Sequence, residues 1–77
     1  MTKALRTLLT EIRPEAEFDQ STDFFEDGLL DSFDLVTFVA ELDRKYAISI
    51  DGTDILPEHF CNFDAIQSLL QKYGVAE

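Results

Sequence analysis

The chain has 77 residues, with sixteen acids against six bases and a formal net charge of −10. That balance excludes a nucleic-acid binder, because neutralising phosphates needs Lys and Arg. A hydrophobic content of 45% with seven Phe excludes a disordered acidic tail, so the chain reads as one small domain that buries only about 60% of its unfolded surface.

Leu5, Leu8, Leu9 and Ile12 fall at i, i+3, i+4 and i+7. This spacing predicts an amphipathic helix over 3–13. Thr2 is placed to act as its N-cap. Pro14 ends it at Arg13, since the residue before a proline avoids the α region. Residues 14–30 carry no period, and a loop of that length is usually functional or compact in its own right. Phe18, Phe24 and Phe25 are expected to anchor it, and Gly28 to mark a turn near its end.

Residues 32–46 give the longest predicted helix, with Leu35, Phe38, Val39, Leu42 and Tyr46 on one stripe. Asp31 or Ser32 can cap its first amides. Asp34 stands at the positive end of its dipole, and Arg44 and Lys45 at the negative end. Residues 47–57 read as a second loop turning at Asp51-Gly52. The Ile48-Ser49-Ile50 alternation has strand character but no second strand to pair with. Pro57-Glu58-His59-Phe60 predicts a single helical turn opened by its proline. Asn62 is the expected N-cap of a last helix striped by Phe63, Ile66, Leu69, Leu70 and Tyr73. Gly74 is its natural C′ residue. The fold class is all-α: a small four-helix bundle of three main helices and one short one, forming a single domain over 1–77.

An acidic chain invites a calcium loop. Counting from Asp23 puts Asp27 at position 5 and Gly28 at position 6. Position 3 is then Phe25 and position 12 is Asp34, which an EF-hand does not tolerate. His59-Phe60-Cys61 offers two zinc-type ligands where three or four are needed. His59 reads as a surface residue and Cys61 as a small half-buried one. A single cysteine forms no internal disulfide. Without a signal-peptide pattern, it suits a reducing cytoplasm. No apolar run approaches the ~20 residues of a membrane span.

Ser32 holds more interest. Autonomous catalysis would need a base and an orienting group within reach, and the acids on either side of Ser32 do not stabilise an oxyanion. Two roles stay open: a helix cap, or a hydroxyl on which another protein performs the chemistry.

The stretch Asp27-Gly28-Leu29-Leu30-Asp31-Ser32-Phe33-Asp34-Leu35 resembles the modification motif of the acyl and peptidyl carrier proteins. The order and length of the helices resemble that family over nearly the whole chain. The resemblance implies a non-enzymatic carrier whose Ser32 bears 4′-phosphopantetheine derived from coenzyme A. It implies a phosphopantetheinyl transferase that uses Mg²⁺, together with loading and acyl-transfer enzymes that present basic docking surfaces. Asp31 would help position the metal or meet the transferase. Asp31, Phe33 and Asp34 would contact partners, with Thr37 and Glu41 further along and Ile50 across the cleft. A helix N-terminus suits such an attachment, since its dipole and amides favour a phosphodiester.

Several departures from the best-known fatty-acid carriers point to a specialised stand-alone carrier for D-alanyl, aminoacyl, polyketide or other dedicated pathways. Thr37 occupies the middle of the second helix, and Arg44-Lys45 stand near its end. Phe33 replaces the usual Leu, and Asp51-Gly52-Thr53 lengthen the following segment. Phe33, Phe38, Phe60 and Phe63 around the expected cleft would leave little room for a long acyl chain. The alternative is an unmodified acidic helical module that binds a basic partner. Either reading fits a cytoplasmic monomer.

Overall fold

The computed structural model describes residues 3–75. Its order is α1 (Lys3–Ile12), a 3₁₀ turn (Phe18–Gln20), α2 (Ser32–Tyr46), 3₁₀ turns at Gly52–Asp54 and Pro57–His59, and α3 (Phe63–Lys72). There is no strand among the described residues. The expected all-α bundle is the fold, with Pro57–His59 as the short fourth element. No helix among these residues is long and apolar enough to cross a membrane. The proposed Thr2 cap lies outside the described residues.

Each helix buries the stripe its spacing predicts. Leu5, Leu9, Phe38, Leu42, Ile66 and Leu70 are fully buried, and Tyr46, Phe63 and Tyr73 pack against this core from its edge. Phe24 and Phe60 complete the interior from the loops. Phe24 meets Phe18 and Phe63 edge-on, with ring centroids 5.0 and 5.3 Å apart. Phe38 meets Phe60 in the same way at 6.1 Å, the arrangement that aromatic quadrupoles favour.

Residues 14–30 are a compact structure of their own. Phe18 and Phe24 are buried, and Phe25 is half-buried against the core. The Phe24 amide donates to the Cys61 carbonyl at 2.7 Å, tying the loop to the start of α3. The Phe24 carbonyl accepts from the amides of Leu29 and Leu30 at 2.8 and 3.1 Å. Asp23 Oδ1 accepts from the amides of Phe25 and Glu26, each at 3.0 Å. Gly28 supplies the reversal at φ +75°, a backbone state in which a Cβ is disfavoured.

The second and third helices differ in the residue that closes them. After α2, Ala47 adopts φ 55°, and the Ile48 amide donates to the Asp43 carbonyl at 3.1 Å. Asp43 Oδ1 then accepts from the Ile50 amide at 3.0 Å. After α3, Gly74 takes φ 80°, and the Val75 amide reaches the Leu70 carbonyl at 3.0 Å. Both ends are Schellman-type closures, but only the second has glycine at its left-handed residue. Ala47→Gly is therefore expected to stabilise the protein by about 1 kcal/mol. An unchanged urea midpoint would contradict that.

A polar latch joins the second loop to the end of α3. Asp54 Oδ2 accepts from Lys72 Nζ at 2.7 Å and from the Tyr73 hydroxyl at 2.6 Å. The same hydroxyl accepts from the Asp51 amide at 2.8 Å. Asp51 Oδ1 accepts from the Thr53 amide at 2.9 Å. His59, expected at the surface, is half-buried. Its turn is pinned from both sides by the buried Phe60 that follows it and by the Leu56 carbonyl that takes its amide.

Candidate functional site

The start of α2 decides which residue caps it. Asp31 is extended, at φ −124° and ψ −177°, and is the N-cap. Its Oδ1 accepts from the Asp34 amide at 2.9 Å, while Asp34 Oδ2 accepts from the Asp31 amide at 3.3 Å. This reciprocal pair is a capping box built from two aspartates. Ser32 is the first helical residue and is exposed. Its hydroxyl has no hydrogen-bond partner among the described residues. The cap and the free hydroxyl are thus two different residues.

A third side chain enters from the end of α1. Arg13 Nε donates to Asp34 Oδ2 at 2.8 Å, and Nη2 lies 3.3 Å from Asp31 Oδ2. Nη1 lies 3.5 Å from Glu15. The Asp34 amide, seconded by the Arg13 charge, holds the Asp31 carboxyl below its ordinary value. Asp34, by its hydrogen bond and its charge, keeps the Arg13 guanidinium charged.

The expected contact residues divide by exposure. Asp31 and Phe33 are exposed, and Phe33 is 78% so. Thr37 and Glu41 are half-buried. Thr37 Oγ1 donates to the Phe33 carbonyl at 3.2 Å, and Glu41 is paired with Arg44. Asp34 and Ile50 do not fit a surface role. Asp34 is 8% exposed and turned toward Arg13, while Ile50 is 6% exposed and belongs to the core. Phe33 also departs from expectation. It points outward from α2 and does not share the interior with Phe38, Phe60 and Phe63. There it walls an open groove of about 400 Å³ with Ile12, Thr37 and Glu41.

Two residues were not foreseen. Val36 is 64% exposed, one turn after Ser32. It sits on the apolar-looking run of α2 with no sign in the sequence that it faces outward. Arg13 meets acids 18 and 21 residues away, a pairing that no local pattern announces. Among the described residues, no group of three or more His, Cys, Asp or Glu side chains is arranged to hold a metal ion.

The family model described as "phosphopantetheine attachment site" matches residues 3–59. That span runs from α1 through the Phe-containing loop and all of α2 to the Pro57–His59 turn. No curated protein and no solved structure matches the chain.

Proposed function

The chain belongs to the phosphopantetheine attachment site family, and on that premise we propose that Ser32 bears the 4′-phosphopantetheine and that the protein passes an acyl or aminoacyl group between partner enzymes. Membership makes it a carrier with a covalently attached 4′-phosphopantetheine, and not an enzyme. The observation that carries the reading is the uncommitted hydroxyl of Ser32. It is exposed on the first turn of a well-capped helix, while Asp31 does the capping.

The residues fit such a group. Ser32 Oγ would form a bond to phosphorus as a P–O bond of the coenzyme A pyrophosphate breaks. Adenosine 3′,5′-bisphosphate would leave with the bridging oxygen, and the serine proton would pass to a base on the transferase. When bound, the group supplies a terminal thiol that forms an energy-rich thioester. The chain's own Cys61 is half-buried, and its Sγ contacts the Glu58 carbonyl at 3.5 Å.

Partner contact in this reading centres on Asp31, Phe33, Val36, Thr37 and Glu41. Phe33 and Val36 give the docking face an apolar middle. The net charge of −10 steers basic partners over longer range. A cytoplasmic monomer remains part of the proposal.

The test is to incubate the protein with coenzyme A, Mg²⁺ and a broad-specificity phosphopantetheinyl transferase and read the intact mass. The wild type is expected to gain one phosphopantetheine and Ser32→Ala none. Ser32→Ala is also expected to unfold at the wild-type midpoint, whereas losing a true N-cap costs about 0.5–2 kcal/mol. A wild type that gains no mass favours the unmodified interaction module. A gain that survives Ser32→Ala moves the attachment elsewhere.

A further inference from the structure

Resting on the reading of Ser32 as the attachment residue, we propose that Arg13 is a positioning residue for that attachment, clamping the Asp31–Asp34 capping box and so fixing the turn on which Ser32 stands. Arg13 directly follows α1, and its amide still bonds the Leu9 carbonyl at 2.8 Å. Its backbone is therefore anchored to the helix that packs beside α2. From there one side chain reaches both acids of the box.

The box needs this help. The Asp34 carboxylate is largely out of water. Within the box it receives only the 3.3 Å bond from the Asp31 amide. A shielded carboxylate requires more than one long bond, and Arg13 Nε adds a charge-assisted bond at 2.8 Å to the same oxygen. Without Arg13 that carboxylate turns toward solvent and leaves the Asp31 amide. Asp31 loses its Oδ2 partner at the same moment. The first turn of α2 then keeps half of its reciprocal cap, and Ser32 loses a fixed orientation. Arg13 is only half-buried and is not part of the hydrophobic core, so the damage stays local.

The consequence is kinetic. Ser32 Oγ must approach phosphorus in line with the breaking P–O bond, and the leaving adenosine bisphosphate and the serine proton go as described above. An attacking atom misplaced by about 1 Å can cost a hundredfold in rate. Lysine cannot substitute, because a point charge lacks the fork that reaches two carboxylates at once.

The experiment measures kcat and KM for modification by a purified transferase with coenzyme A and Mg²⁺. The carriers are wild type, Arg13→Gln, Arg13→Lys and the double variant Arg13→Gln/Asp34→Asn, each with a thermal melt. Arg13→Gln is expected to lower kcat roughly tenfold with KM within about threefold, while remaining folded at the assay temperature. Arg13→Lys should recover little. The double variant should recover most of the rate, because no charge is stranded and the Asn carbonyl can still accept from the Asp31 amide. A wild type that is modified while Arg13→Gln keeps its kcat within about twofold overturns the proposal. Full rescue by Arg13→Lys, or a loss that follows the unfolded fraction alone, does the same. A wild type that takes no phosphopantetheine instead removes the attachment reading beneath it.

Discussion

Phe24→Ala is expected to destabilise the protein by about 3–5 kcal/mol, the usual cost of emptying a buried aromatic site. A domain of this length holds about 4–12 kcal/mol in total, so the variant will be partly unfolded at ordinary temperatures. The site is poorly able to collapse. Phe24 is fully buried, and its ring is held edge-on by Phe18 on one side and Phe63 on the other. These rings come from the loop and from α3, so the cavity opens between two elements that its removal also uncouples. The Phe24 carbonyl receives the amides of Leu29 and Leu30, so the approach to Ser32 should loosen and modification should slow as well. Urea unfolding followed by circular dichroism measures this. A loss below about 1 kcal/mol with an unchanged slope would show that the loop does not depend on this ring.

The second large effect concerns acid. Three carboxylates sit below their ordinary value of 3.8 in the folded protein. Asp54 is lowered first by its hydrogen bond from Lys72 and then by that from Tyr73. Asp31 is lowered first by the Asp34 amide, and Asp51 by the Thr53 amide. A depressed carboxylate binds protons more weakly folded than unfolded, so its contribution is complete above the unfolded value and is lost as pH falls through the folded one. The contribution of these three groups should therefore be complete down to about pH 5, and the melting temperature should fall below about pH 4. Lys72 and Tyr73 shift the opposite way, raised above 10.5 and 10.0 chiefly by Asp54. Their share of the latch is lost only as pH rises through those raised values. Asp54→Asn should lower stability at neutral pH and flatten the acid limb. Melts of the two proteins from pH 2 to pH 8 decide it; parallel acid limbs would show that Asp54 carries none of the effect.

The helices were legible because their signals are local. The stripe through Leu35, Phe38, Val39 and Leu42 lies within α2, and Asn62, Pro57 and Gly74 are end signals that act over three or four residues. Asp31 and Asp34, three apart, already had the spacing of a capping box. The sequence left open whether Asp31 or Ser32 capped, since both residue types do so, and only the backbone geometry separates them. Side chains facing distant partners were not legible. Asp34 has the composition of a surface residue, yet Arg13 lets it stay buried. Asp54 lay in a segment that read as plain loop, while its partners Lys72 and Tyr73 are 18 and 19 residues further on. The resemblance implies Ile50 as a surface contact, and nothing local in the sequence records that Asp43 folds its segment inward.

The segment leading into Ser32 has its conformation fixed before any partner arrives. The Phe24 carbonyl and the Asp23 carboxylate between them hold four backbone amides. In the proposed reading, docking of an enzyme beside Ser32 need not order this segment, and the entropy such ordering would consume is spared. A carrier serves its enzymes in succession and gains nothing from lingering on any of them. A preformed edge with a small apolar middle suits that duty, because this segment needs no refolding either to bind or to let go.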